Sequence, residues 1–206
     1  MMEVRLIDSM GTDLTVVNAA RVSFGKKTEV FREEDRKLIA YLAKHQHLSP
    51  FGHCFASFHV KAPIFVSRQL VKHEYLRINE ISRRYVDSEP EFYTPEVWRG
   101  RPDGSIKQGS EGTADVDTGQ YNRHCYSGLD IYDQMIHDGV APEQARMILP
   151  QSMYTEWYWS GSLDAFAKMY KLRIHHSAQE ETQQIAKKIG ANMELLYPVS
   201  WKELTR

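Results

Sequence analysis

Alternation of apolar and polar residues predicts a half-buried strand over residues 54–61. The apolar face of this strand would consist of Cys54, Ala56, Phe58 and Val60. A shorter alternation over residues 3–7, followed by a mostly apolar run up to residue 24, predicts a first strand and then a short helix. Strands are therefore expected in the first third of the chain.

Apolar residues at helical spacing predict helices in much of the remainder. The segment 33–45 follows an acidic first turn that suits a helix N-terminus, and Pro63 suits the first turn of a helix that continues through Leu70 toward Ile78. Further helices are predicted over residues 122–137, 142–149, 162–172 and 177–196. We find no internal repeat or domain boundary, so we expect one α+β domain over residues 1–206, with a central antiparallel sheet flanked by helices.

The segment 99–119 differs from the rest of the chain in composition. It contains five glycines and almost no large apolar residue. A loop of this length is uncommon in a compact domain and is either functional, such as a lid, or a disordered insertion. We expect a mobile loop here and leave both alternatives open.

Charge and cysteine content exclude several classes of protein. Lysine and arginine total 26 against 27 acidic residues, so no global field draws the chain to nucleic acid or to anionic lipid. No apolar run is long enough to span a bilayer, and we expect a cytoplasmic protein. The two cysteines are too few for a disulfide scaffold or a thiolate metal site. We expect no metal, although a histidine metalloprotein would have candidate ligands in His45, His47, His53, His59, His175 and His176.

If the helix after Pro63 continued to residue 81, one of its sides would be strongly polar. Steps of about 100° per residue place Gln69, Lys72, His73 and Glu80 on that side. Such a face is either solvated with incidental charges or part of a functional site. Periodicity alone leaves both interpretations open.

The stretch 68–85 resembles the signature of flavin-dependent thymidylate synthases, R-H-R-x-x-S-x-N-E-x-S-x-R-Y. The signature specifies nine positions, and seven of them are occupied here by the same residue or by a conservative replacement. The identical residues are His73, Asn79, Glu80, Ser82, Arg84 and Tyr85, and Lys72 replaces the first arginine. The resemblance continues over residues 49–53, 91–93 and 145–150, and at residues 172–173 and 178–179, so it spans most of the chain.

The resemblance implies a homotetramer whose active sites are shared between subunits. It implies FAD as cofactor, dUMP as substrate, and NADPH and methylenetetrahydrofolate as co-substrates. The residues that match dUMP-binding positions are Gln69, Glu80, Ser82, Arg84, Arg146 and Arg173. The residues that match FAD-side positions are His53, Lys72, His73 and Arg77. Arg173 and His53 are the expected catalytic residues.

Three positions depart from the family pattern. Glu74 replaces the second arginine of the signature and Arg77 replaces its first serine, while Ser177 stands where histidine is frequent. A carboxylate beside a flavin pyrophosphate is repulsive, so we expect Glu74 to point away or to be neutralised. On a continuous helix, Arg77 would pair with it at i+3 for about 0.2–0.5 kcal/mol. Alternatively, Arg77 itself supplies the missing charge.

The departures leave other functions open. One is a nucleotide-binding relative without catalysis, and another is an enzyme that adds a hydroxymethyl group to dUMP instead of a methyl group. For the main hypothesis we expect no protein nucleophile, because neither Cys54 nor Cys125 has an electropositive setting and Ser82 has no neighbouring base. Activation of uracil would then depend on Arg173, which stabilises negative charge on the ring.

Overall fold

A computed structural model describes residues 1–86, 88–102 and 109–206. The strands are β1 (Glu3–Met10), β2 (Phe55–Pro63), β3 (Leu76–Glu80), β4 (Arg99–Gly100), β5 (Glu111–Thr113) and β6 (Tyr154–Ser162). The α-helices are α1 (Asp13–Arg21), α2 (Glu33–Lys44), α3 (Ile64–Leu70), α4 (Thr118–His137), α5 (Pro142–Ala145), α6 (Leu163–Arg173), α7 (Glu180–Leu196) and α8 (Pro198–Thr205). Short 3-10 helices cover Val22–Phe24, Phe51–His53 and Arg146–Ile148.

The main sheet has four strands in the order β1-β2-β6-β3, and all its pairs are antiparallel. The central pair runs from Phe55 opposite Ser162 to Pro63 opposite Tyr154. The alternation that predicted β2 is confirmed, since the face with Ala56 and Phe58 is buried. The fold is therefore a single domain that mixes helices with an antiparallel sheet.

Helices cover one face of the sheet and form the core with it. The aromatic side chains of β2, β6 and α6 meet there, where Phe166 packs edge-on against Phe58 at 5.3 Å and against Trp159 at 5.5 Å between ring centroids. The opposite face is polar and partly exposed, and Nε2 of His59 lies 3.0 Å from the Glu156 carboxylate across it. One face of the sheet thus remains open in a single subunit.

The predicted helix from Pro63 to Ile78 is wrong in its second half. α3 ends at Leu70, and the backbone turns through residues 71–75, with Tyr75 in the left-handed region at φ 62°. β3 then pairs with β6. The polar helix side proposed for residues 69–81 therefore does not exist, because these residues belong to a helix end, a turn and a strand.

The helical pairing of Glu74 with Arg77 is also wrong. Glu74 lies 3.6 Å from Lys168 of α6, and both side chains are exposed. Arg77 lies in β3, opposite Ser160 of β6, and is exposed. The unusual carboxylate is thus compensated by a different helix from the one that the sequence suggested.

A close approach between backbones fixes the turn against the sheet. A Cβ atom at Gly161 of β6 would lie 2.9 Å from the carbonyl oxygen of Tyr75. Real Cβ atoms essentially never come so near to such an oxygen, so the turn can pack here only against a glycine. The position of residues 71–75 is consequently defined by β6.

Most other predicted elements are present with shifted ends. The helix predicted over residues 177–196 begins at Glu180, and the one over residues 142–149 divides into α5 and a 3-10 helix. Within the predicted mobile loop, β4 and β5 pair, while residues 103–108 lie outside the described part of the chain, so mobility stays a prediction. No helix in the described part is long and apolar enough to cross a membrane.

Candidate functional site

Two cavities lie on either side of α3. The first has a volume of about 690 Å³ and is lined by Phe65 and Gln69 of this helix. The second has a volume of about 510 Å³ and is lined by other residues of the helix, including Ile64 and Ser67. Both volumes fall within the usual range for small-molecule sites, about 300–1,000 Å³. α3 therefore forms a partition between two candidate sites.

The first cavity combines aromatic walls with two arginines, Arg99 and Arg173. Its aromatic lining residues are Phe65, Tyr93, Trp98 and Tyr121. Gln69 and Arg173, two of the residues predicted to bind dUMP, line the same cavity, and Gln69 donates a hydrogen bond to the side chain of Gln179. The cavity thus offers flat apolar surfaces beside polar groups, which suits a planar polar ring.

Arg173, the last residue of α6, is held by two hydrogen bonds. Its Nε donates to Nε2 of His73 at 2.8 Å, and its Nη2 donates to the backbone oxygen of Gln69 at 2.8 Å. Burial lowers the pKa of Arg173, but a guanidinium remains protonated in proteins. Among the described residues no carboxylate lies within ion-pair distance of it. Arg173 is therefore an oriented cation whose charge is available to a ligand.

His73 is neutral at physiological pH. Burial lowers its pKa to about 4, with further contributions from the positive charges of Arg173 and Lys168. Because Nε2 accepts the bond from Arg173, we assign the ring proton to Nδ1. His73 thus acts as a hydrogen-bond acceptor for a cation, which a protonated imidazole could not do.

An ion-pair network forms the wall of the cavity at the start of α7. Nη2 of Arg99 lies 2.6 Å from Oε2 of buried Glu181, Nη1 of Arg99 lies 3.0 Å from Glu180, and the Tyr93 hydroxyl donates to Glu181 at 3.2 Å. Burial raises the pKa of Glu181, but the bonds and charge of Arg99 outweigh it and hold the pKa below its ordinary value. This network joins β4 to the helix that follows Arg173.

The second cavity is lined by two other predicted dUMP ligands, Glu80 and Arg146, and Arg84 lies beside it. Oε1 of Glu80 accepts a hydrogen bond from the hydroxyl of Thr155 at 2.6 Å, and both residues line the cavity. Arg146 lies on the same wall and donates to the backbone oxygen of Glu143 at 3.4 Å. Arg84 is exposed and lies 3.9 Å from the carboxylate of Glu143. Two arginines thus contact the same residue, Arg84 through its carboxylate and Arg146 through its backbone oxygen.

The remaining predicted residues lie outside both cavities. Ser82 accepts a hydrogen bond from the backbone of Arg84 at 3.3 Å. His53, Lys72 and Arg77 are exposed. In the described part of the chain neither Lys72 nor Arg77 forms an ion pair. The three expected flavin-side cations or histidines therefore lie on open surface in a single subunit.

Neither cysteine has the character of a nucleophile. Cys54 is fully buried and its thiol donates to the backbone oxygen of Thr12 at 3.4 Å, and burial, with Asp13 nearby, raises its pKa to about 12. Cys125 is buried beside the hydroxyl of Ser152 at 3.6 Å. In the described residues no group of three or more histidine, cysteine or acidic side chains is arranged to hold a metal ion.

Comparison with known proteins shows the family to which this chain belongs. A family model described as thymidylate synthase complementing protein matches residues 5–199. A flavin-dependent thymidylate synthase of Thermus thermophilus is 42% identical over 200 residues, which cover 96% of this chain and 73% of that protein. The chain belongs to the family of flavin-dependent thymidylate synthases. The resemblance seen in the signature is therefore confirmed.

Other members of the flavin-dependent thymidylate synthase family agree with this assignment. The protein of Kosmotoga olearia with that name is 40% identical over 204 residues, covering 97% of this chain and 88% of the relative. Among solved structures, the UMP/dUMP methylase PolB from Streptomyces cacaoi bound with 5-Br dUMP has a TM-score of 0.89 and 31% identity. That match covers 100% of this chain and 95% of the other.

Sequence reasoning missed several residues that form the cavities of this flavin-dependent thymidylate synthase. Thr155 supports Glu80, but β6 was not recognised, although Thr155, Trp157 and Trp159 alternate with more exposed residues. Arg99 lies in the segment that was assigned to a loop. Glu181 lies in the first turn of α7, where acidic residues are common and do not by themselves indicate a site. The alternation of β6 was a detectable signal, whereas the Arg99 ion pair joins segments distant in sequence.

Proposed function

We propose that this protein methylates C5 of the uracil ring of dUMP to form dTMP. Methylenetetrahydrofolate supplies the carbon at the oxidation level of formaldehyde, and the C5 proton is lost. NADPH supplies the two electrons and the hydrogen that complete the methyl group, and tetrahydrofolate and NADP⁺ are released. FAD, when bound, carries these reducing equivalents between NADPH and the one-carbon unit.

The observation that most supports this proposal is the state of Arg173. A half-buried arginine without a carboxylate partner is costly unless a ligand uses its charge. Uracil C5 becomes nucleophilic when negative charge develops on the ring oxygens, and a preorganised cation stabilises that charge. We therefore assign Arg173 to the pyrimidine, and Gln69 beside it to the same nucleotide.

The phosphate of the nucleotide would bind at the second group of residues. Arg84 and Arg146 provide the charge for a monophosphate, and Glu143 holds both only loosely, at 3.9 Å and through its backbone oxygen at 3.4 Å. Ser82 would add a hydroxyl donor and Glu80 a carboxylate that accepts from the sugar. His53 has no contact here with a reacting group, and its catalytic role stays a proposal.

These two groups lie on opposite sides of α3, which supports an active site shared between subunits. One nucleotide would contact Gln69 and Arg173 of one subunit and Arg84 and Arg146 of another. The homotetramer implied by the family resemblance provides such neighbours. A single subunit then contains two halves of different sites.

The exposed cations of the turn and of β3 fit a flavin pyrophosphate. Lys72 and Arg77 are solvent-accessible, and among the described residues neither forms an ion pair with a carboxylate. Glu74, the departure that threatened this assignment, is paired with Lys168. Lys72 and Arg77 would therefore hold the phosphates of FAD.

The first experiment tests flavin and product together. The purified protein should bind FAD with a flavin absorbance spectrum, and with dUMP, methylenetetrahydrofolate and NADPH it should form dTMP, identified by mass spectrometry. Arg173→Ala should still bind FAD but lose most dTMP formation. A hydroxymethylated product would instead favour the hydroxymethylating variant, and a colourless protein that ignores FAD would refute the proposal.

The second experiment tests the phosphate and the shared site. Arg84→Ala and Arg146→Ala should weaken dUMP binding by about 10- to 100-fold and leave deoxyuridine binding nearly unchanged, since charge-assisted contacts are worth about 1.5–3 kcal/mol each. Co-assembled Arg146→Ala and Arg173→Ala subunits should regain activity that neither variant has alone. Equal losses for both ligands, or no recovery on mixing, would contradict the assignment.

UMP is a second candidate substrate. The structural relative from Streptomyces cacaoi is described as a UMP/dUMP methylase. Glu80 is fixed through one oxygen only, so its other oxygen remains available to a sugar hydroxyl. Parallel assays with UMP and dUMP at equal concentration, with kcat/KM as the measure, decide between a deoxynucleotide-specific enzyme and one that accepts both.

A further inference from the structure

His73 has one interaction that its match to a flavin-side position does not explain. Its Nε2 accepts a hydrogen bond from Nε of Arg173 at 2.8 Å. The ring is half-buried and lines neither of the two cavities flanking α3. We propose that His73 is a positioning residue that orients the Arg173 guanidinium toward the pyrimidine. This inference rests on the function proposed above.

The geometry of the guanidinium supports this role. Nε and Nη2 form one side edge of the planar group, and this edge is occupied by His73 and by the backbone oxygen of Gln69. The two bonds use two of the five N–H donors and leave three, two at the outer end and one of Nη1 on the opposite side. Without His73, one bond remains and the group can rotate about it. The acceptor therefore fixes which donors are left for a ligand.

The charge state of the ring supports the same conclusion. Only an unprotonated nitrogen can accept from a guanidinium, and the pKa of His73 is lowered to about 4 by burial and by Arg173 and Lys168. The charged groups near the ring are Arg173 and Lys168 of α6, and Glu74 next to it, which is paired with Lys168. The surroundings thus favour the neutral acceptor throughout the physiological range.

The backbone around His73 makes it a firm support. The N–H of His73 donates to the backbone oxygen of Leu70 at 3.2 Å, which ties the turn to the end of α3. Gly161 of β6 lets the carbonyl of Tyr75 pack closely against the sheet. A side chain that orients another needs such a fixed base.

Two substitutions at position 73 separate the roles. His73→Leu removes the acceptor, whereas His73→Gln supplies an amide oxygen in its place. His73→Leu should lower kcat for dTMP formation by about 10- to 100-fold, the range for a lost hydrogen bond to a charged group, with FAD affinity changed less than about threefold. His73→Gln should recover most of that loss. His124→Gln, at an exposed site on α4, is the control for replacing a histidine.

A double-mutant cycle and a spectroscopic measurement complete the test. In the Arg173→Ala background, His73→Leu should cause no further loss of turnover or dUMP affinity, because its partner is absent. Nitrogen NMR of histidine-labelled protein should show the Nδ1-protonated tautomer of His73 down to about pH 5. This tautomer measurement is valid whether or not the protein makes dTMP, so it distinguishes failure of this inference from failure of the proposed function.

Three outcomes would overturn the inference. One is a large loss of FAD affinity in His73→Leu with turnover restored at saturating FAD, as for a flavin ligand. Another is an equal loss with and without Arg173, combined with no recovery in His73→Gln, as for a purely structural role. The third is an Nε2-protonated or charged ring at neutral pH.

Discussion

The ion pair between Arg99 and Glu181 should stabilise the protein far more than an exposed pair does. Among the described side chains, Arg99→Met leaves the Glu181 carboxylate with the Tyr93 hydroxyl as its one remaining partner. Removing one partner of a buried ion pair typically costs about 3–5 kcal/mol. The Arg99 side chain is 23% exposed against 4% for Glu181, so water relieves part of this cost. Since Arg99 is partly accessible and Glu181 is buried, we expect a loss of about 2–3 kcal/mol.

Thermal and urea unfolding provide the assay. In a chain of this size, about 1 kcal/mol shifts Tm by about 2–4 °C, so Arg99→Met should lower Tm by about 4–12 °C. The matched control is Arg123→Met, which breaks an ion pair with Asp117 whose side chains are 73% and 62% exposed. That variant should lose less than about 1 kcal/mol.

A double variant separates the pair from simple packing loss. Arg99→Met with Glu181→Leu should be less destabilised than the sum of the two single variants, because no unpaired buried charge remains. If Arg99→Met loses no more stability than Arg123→Met, or if the two effects at the pair are strictly additive, the network is not a stabilising element of the cavity wall.

Further predictions concern the carboxylates. Thr155→Val should weaken dUMP binding by about tenfold, while Thr155→Ser, which keeps a hydroxyl for Glu80, should retain it, as measured by calorimetry. In the folded protein the pKa of Glu181 lies below its ordinary value of 4.5. The ionised Glu181 therefore contributes its full stabilisation above pH 4.5, and this contribution is lost as the pH falls through the folded-state pKa. Unfolding measurements over the acid range that show no such loss of stability would contradict this. Lys168→Ala and Glu74→Ala should each change the free energy of unfolding by less than about 1 kcal/mol, since both side chains are exposed, yet show coupling in a double-mutant cycle of FAD affinity.

Local pattern was sufficient for β2 and most helices because one face of each is buried. It failed after Leu70, where no glycine or proline stops the helical pattern and the residues 76–80 instead pair with β6. Strand pairing is a tertiary effect that overrides local preference. Tyr75 in the left-handed region gives no sequence signal either, since this conformation is rare for a tyrosine.

The candidate site was predictable as a set of residues but not as an arrangement. The signature brought Gln69, Glu80 and His73 into one hypothesis, and the structure distributes them over two cavities and a turn. Periodicity cannot show that Glu74 contacts Lys168 of another helix. Contacts between distant segments decide such details, and a single sequence contains no record of them.

The close approach of Tyr75 to Gly161 means that the lack of a side chain at residue 161 is itself needed for activity. A single methyl group at residue 161 would push the turn outward and shift the His73 ring relative to Arg173, although residue 161 touches neither cavity. Activity should therefore be lost at this position with little warning from solvent exposure or charge. Laboratory evolution of this protein should tolerate substitutions at exposed Lys72 more readily than at buried Gly161. A search for functional positions that considers only chemically reactive side chains would overlook Gly161.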